Sequence, residues 1–293
     1  MNNKILSNSG LAILGGAFMV MSSSSLAGIA NTRHNLGSNG TAVAGQNRTS
    51  STAEICVFCH TPHGASTAAV VPLWNKSMPE TSTFTTYDDL GTTSLDAATA
   101  QVGSVSIACL SCHDGSQAMD TVINAPGSGL GSGTIGVVGN WTGNNQTDGQ
   151  LNGNTVALLG TDLRNDHPVS IQYAGGGISN NTHTVTNNVS NAPASTTYGD
   201  PDFVVPKGIL LNSGNPVWWV ETGGNSTRSK TDIQLYTRNT ASTADVGSGF
   251  ADVDGLQPFV ECASCHDPHT ESVDTFLRIS NDDSAVCLAC HIK

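Results

Sequence analysis

All eight cysteines of this chain fall in a single spacing. They read Cys56-Val-Phe-Cys59-His60, Cys109-Leu-Ser-Cys112-His113, Cys262-Ala-Ser-Cys265-His266 and Cys287-Leu-Ala-Cys290-His291. C-x-x-C-H is the attachment signature of c-type haem. Two thiols join the vinyl groups, and the adjacent imidazole takes one axial position of the iron. A zinc knuckle or a dithiol redox site accounts for the cysteine pairs but not for a histidine after every pair. A disulfide scaffold requires only an even count. Four motifs that leave no cysteine over therefore point to four covalently attached haem c groups. His60, His113, His266 and His291 are the proximal ligands.

An internal repeat supplies the remaining ligands. The first and third motifs run on to a second histidine, in Cys59-His60-Thr-Pro62-His63 and Cys265-His266-Asp-Pro268-His269. The second and fourth read Cys-Leu-x-Cys-His and stop there. One free histidine precedes each pair: His34 before the first, His167 before the second. Residues three apart share a helix face, so His63 is tethered too closely to reach the far side of a haem already held by His60. It serves a different iron, and so does His269. Four proximal histidines then meet four distal ones, His34, His63, His167 and His269. Of the nine histidines, only His183 is spare, and its Asn/Thr tract reads as a solvent loop. Asp166 or nearby carbonyls are placed to orient the His167 ring.

Residues 1–27 read as a secretory leader: Lys4, an apolar run over 11–21, then serines and Ala27. The run is short for a membrane span, so no span is expected once the leader is gone. The formal charge is −12, and losing Lys4 makes the exported chain one unit more negative. Such a surface disfavours nucleic acid and anionic membrane. It suits cationic or metallic partners as well as simple solubility.

Only 12% of residues are charged and 5% aromatic, with Gly, Asn, Ser and Thr prevailing in the middle. A chain of that composition builds little apolar core from its own side chains. The expected fold is therefore mostly irregular and coil-rich: a multihaem cytochrome c with a haem-centred core, short helices at the motifs and little strand. Its organisation reads as a single domain over 28–293. Residues 28–124 hold the first haem pair, 125–255 are a polar insertion carrying His167, and 256–293 hold the second pair. Within the insertion, Val217-Trp218-Trp219-Val220 and Asp232-Ile-Gln-Leu-Tyr236 flank a Gly-Gly-Asn turn signal and read as a hairpin.

The motifs resemble the doubled C-x-x-C-H multihaem cytochromes of metal-reducing bacteria. The likeness extends to Thr32-Arg-His34-Asn-Leu36, Pro72-Leu-Trp-Asn75, Asn165-Asp-His-Pro-Val169 and Lys230-Thr-Asp-Ile-Gln-Leu-Tyr236. In haem count it is nearest to the tetrahaem, filament-forming outer-surface type, and the long polar middle departs from that pattern. The resemblance implies an exported electron carrier at or beyond the outer membrane, with other redox proteins or an extracellular metal as partners. It also implies a homopolymer in which one distal histidine comes from a neighbouring subunit; His34, on an amino-terminal arm, is the candidate. Two histidines on every iron leave no open position, so no catalytic residue is expected. The alternatives are a soluble periplasmic shuttle and, third, a multihaem reductase with one open haem.

Overall fold

The computed structural model describes residues 28–41, 43–68, 70–91, 95, 97–126, 133–135, 140–166, 168–176, 185–186, 189–190, 200–211, 215–224, 227–246 and 255–292. The leader, His167 and His183 lie outside the described residues.

A five-stranded antiparallel sheet organises the second half. Its strands are β1 (Ile171–Gln172), β2 (Lys207–Leu210), β3 (Pro216–Val220), β4 (Ile233–Asn239) and β5 (Leu256–Val260), in the order β2-β3-β4-β5-β1. Tryptophan and β-branched residues favour this pleated surface. The expected hairpin is present, with Trp218 opposite Leu235 and Val220 opposite Ile233. Successive strand residues point to opposite faces. Trp218 and Trp219 are both wholly buried, so both faces of β3 are covered. One face packs Trp218, Val220, Ile233 and Leu235 against Tyr173 and Ala174.

This sheet corrects the expectation of a mostly irregular, haem-centred chain. Composition averaged over the whole sequence concealed local concentration: the apolar and aromatic residues gather in short strands that pair across long gaps. Four of the five strands come from 125–255, the stretch whose polarity read as insertion. Four two-stranded ladders accompany the sheet among the described residues. One of them joins Arg48–Thr49 to Trp141–Thr142.

Four helices follow: α1 (Ser106–His113), α2 (Thr243–Val246), α3 (Cys262–Cys265) and α4 (Ala285–Leu288). α1 ends on a glycine cap. Gly115, at φ 74°, donates its N–H to the Cys112 carbonyl, the left-handed stop that glycine supplies without strain. Three apolar clusters back onto the motifs. Leu36, Val57, Phe58, Met119 and Trp141 pack under Cys59 and Cys112. Phe84, Val102, Ile107, Leu110 and Leu163 support α1. The sheet cluster reaches Ala289 and Cys290.

Candidate haem-attachment sites

The first, third and fourth motifs close in the same way. The His60 N–H reaches the Cys56 carbonyl at 2.7 Å, His266 reaches Cys262 at 3.1 Å, and His291 reaches Cys287 at 3.0 Å. That is one helical turn, and it brings both cysteines and the histidine to one side. The second motif gains the same geometry from α1, which carries Cys109, Cys112 and His113.

A short extended segment then pins each of those three histidines from behind. Thr61 N–H donates to the Leu73 carbonyl and Asn75 N–H returns to the Cys59 carbonyl, both at 2.8 Å. In the third motif Asp267 donates to Phe276 and Arg278 returns to Cys265, again at 2.8 Å. In the fourth, Ile292 donates to Asp202 and Val204 returns to Cys290, both at 2.7 Å. Leu73 and Phe276 occupy equivalent places and share the left-handed conformation, at φ 57° and 62°. The sequence repeat is thus also a repeat of backbone geometry.

The pinning segment fixes the rings. Nδ1 of His60 lies 2.8 Å from the Pro72 carbonyl oxygen, and Nδ1 of His266 lies 2.7 Å from that of Thr275. His113 makes the same contact with Ala157 at 2.7 Å. A carbonyl only accepts, so Nδ1 carries the proton in all three. The lone pair is left on Nε2, the state in which imidazole binds a metal.

Two pairs of histidine rings lie at the centre-to-centre spacing of axial ligands, one nearly parallel and one edge-on at 65°. A metal–imidazole bond of about 2 Å and a nitrogen about 1.1 Å from its ring centre put trans imidazoles about 6.3 Å apart, centre to centre. His60 and His269 lie 6.2 Å apart, nearly parallel at 19°. His34 and His113 lie 6.1 Å apart. The residues present therefore fit covalently held haem with histidine on both faces.

His34 is held inside its own chain. Gln46 Nε2 donates to the carbonyls of Thr32 and Asn35, and Asn35 Nδ2 donates to that of Ala30. Phe276 stacks on the His34 ring at 4.4 Å. The protein packed around this half-buried ring, and then His113 beside it, push its pKa down to about 3. His113 is lowered as well, chiefly by burial. Both rings are neutral at physiological pH, as iron ligands must be.

Thiols of successive motifs influence one another. Cys59 and Cys112 feel each other electrostatically. Cys109 and Cys262 share a hydrogen bond, which together with burial raises Cys109 and which lowers Cys262 against the effect of burial. Cys265 interacts with both Cys287 and Cys290. Burial pushes Cys59 and Cys290 up to about 12 and Cys265 to about 11. None of the eight cysteines is in a disulfide.

A buried polar knot joins the second motif to the third. The Ser106 hydroxyl donates to the Glu261 carboxylate at 2.5 Å and accepts the Cys262 N–H at 2.9 Å. Ser170 donates to the same carboxylate, and Arg238 Nη1 lies 3.3 Å from it. Burial raises Glu261 from 4.5 to about 7. Asp245 balances Arg238 from the other side at 3.3 Å.

Of the remaining sequence-derived ligands, His63 is exposed, with its carbonyl held by Asn124 Nδ2 at 2.6 Å. His291 is exposed and packs its ring against Phe203 at 4.3 Å. Sequence reasoning missed the pinning segments, the Ala157 carbonyl and the Glu261 knot. Backbone carbonyls leave no side-chain signature; Pro72-Leu-Trp-Asn75 was visible only as part of a resemblance.

A family model described as a doubled CXXCH motif matches residues 257–293, covering the third and fourth motifs. No curated protein matches the chain. The match supports covalently bound haem c and a multihaem cytochrome acting in electron transfer.

Proposed function

We propose that this chain is an exported tetrahaem cytochrome that carries electrons through bis-histidine haems in extracellular respiration. The observation that carries the reading is the pair of axial spacings, 6.2 Å for His60 with His269 and 6.1 Å for His34 with His113. The first pair joins the first motif to the third, and the second joins the amino-terminal segment to the second motif. The repeat extends the scheme. If His269 serves the first motif, His63 serves the third, opposite His266. If His34 serves the second motif, His167 serves the fourth, opposite His291. All eight ligands are then used within one chain.

Haem supplies one-electron exchange at iron, and imidazole on both faces favours a lower potential than a His/Met pair. The chain's own residues do the rest. The carbonyls of Pro72, Ala157 and Thr275 hold the proximal tautomer. The Gln46 and Asn35 contacts seat the His34 arm. The apolar clusters beneath the motifs keep water from the thioether side. Two ligands per iron leave no site for a substrate, which favours a carrier over a reductase.

Export rests on the leader-like residues 1–27 and on the attachment of c-type haem outside the cytoplasm. Redox proteins and an extracellular metal oxide are the partners that fit a net-negative carrier. A homopolymer in which His34 serves a neighbouring subunit is the assembly alternative to this intrachain pairing. Electron paramagnetic resonance of the haem-loaded protein tests the ligation, with four low-spin signals expected and a high-spin signal contradicting it. Cell fractionation tests the location, with haem-stained protein expected outside the cell and retention in the periplasm favouring the shuttle.

A further inference from the structure

Lys76 is a fully buried cation with no ion-pair partner among the described residues. Its three N–H donors go instead to three backbone carbonyls, Ala118 at 3.0 Å, Met119 at 3.4 Å and Thr121 at 2.7 Å. Carbonyl dipoles relieve only part of the cost of burying an ammonium; removing a lone charge from water is expensive unless it is paired. With its donors taken up, Lys76 is not poised to grip a haem carboxylate. It acts as a charge.

Its place in the fold says on what. Lys76 follows Asn75, which pins the first motif through the Cys59 carbonyl. Its carbonyl acceptors follow the second motif. Met119, whose carbonyl is one of the three, packs in one apolar cluster with Cys59 and Cys112, which places the ammonium beside the first two attachment sites. Asp114, beside the second motif, is hydrogen-bonded to the Ser116 N–H and hydroxyl and forms no ion pair with Lys76 among the described residues. Asp120, buried between Met119 and Thr121, accepts from Trp141 Nε1 at 2.9 Å through one oxygen, and it is the nearest acidic neighbour in sequence to the carbonyls that hold the ammonium. The second doublet differs: Arg278, equivalent to Asn75, stands near Cys265 but has the Asp267 carboxylate at 4.0 Å.

We propose that Lys76 is a fixed buried cation that makes the first two irons the more readily reduced pair. The inference rests on the tetrahaem reading above. Each reduction adds one electron and no proton, and it removes one positive charge from a bis-imidazole iron centre. A buried cation alongside therefore favours the reduced form.

Haem content of the full-length holoprotein is measured first, by the pyridine haemochrome spectrum. Fewer than four haems in the wild type overturns the tetrahaem reading and with it the stated pairing. Dithionite titration followed by paramagnetic NMR then assigns a potential to each haem in wild type, Lys76→Gln and Lys76→Arg. In K76Q, reduction of the first two haems becomes about tenfold less favourable, about 59 mV for one electron, while the other two move less than twofold. K76R stays within twofold of wild type. Unchanged potentials in K76Q, or equal shifts at all four haems, overturn the proposal. Where neither variant loads haem, the wild-type order decides: the first two haems are the higher-potential pair, and the opposite order overturns the proposal.

Discussion

An imidazole serves iron when it is neutral, when its free nitrogen is the outer one, and when it cannot swing away. His60, His113 and His266 meet the second and third conditions through carbonyls 2.7 to 2.8 Å from Nδ1. His34 meets the first through the packing that lowers its pKa to about 3. Removing one distal ring therefore exposes one iron. His269→Ala is expected to convert the first haem, and no other, to a high-spin signal, and His34→Ala the second. Resonance Raman spin-state bands check this, and a wholly low-spin H269A protein contradicts the pairing. The proximal candidates were legible in sequence because covalent attachment demands side chains at fixed spacing. Which distal ring meets which proximal one was not legible, because His60 and His269 are brought together by contacts between the two halves of the chain.

Elements carry the coupling between motifs. α1 and α3 meet through Ser106, Glu261 and Cys262, so Ser106→Ala leaves a buried carboxylate and an N–H without that partner. A loss of about 2 kcal/mol is expected, read from denaturant midpoints followed by far-UV circular dichroism. Glu261 also sets a pH dependence. Its folded pKa, about 7, stands above the ordinary 4.5. Between those values the folded state binds more protons than the unfolded, so stability falls as pH rises across that window, by about 3 kcal/mol. His34 and His113 slope the opposite way, but they do so equally in Glu261→Gln. The wild-type minus E261Q difference thus isolates the acid, and a flat difference between pH 4.5 and 7 contradicts the assignment. The sheet has its own test. Trp218→Ala is expected to cost 3–5 kcal/mol by opening the cluster with Tyr173 and Leu235. The hairpin around Trp218 was legible from its apolar run and turn signal. The pairing of β5 with β1 was not: Val260 meets Ile171 across a polar stretch whose composition suggested loop.

At the scale of the molecule, thiols of successive motifs lie close enough to influence one another, with a charged group at each end of α1. Lys76 lies at one end and the Glu261 knot at the other. The apolar sheet supports the last motif through Cys290. The polypeptide is therefore a scaffold with its own core, and not only a wrapping for haems. The most direct measurement is a high-resolution cryo-EM or crystal structure of the haem-loaded chain. The account predicts four irons, one between His60 and His269 and another between His34 and His113. An iron at the first motif whose sixth ligand is any group other than His269 would contradict it.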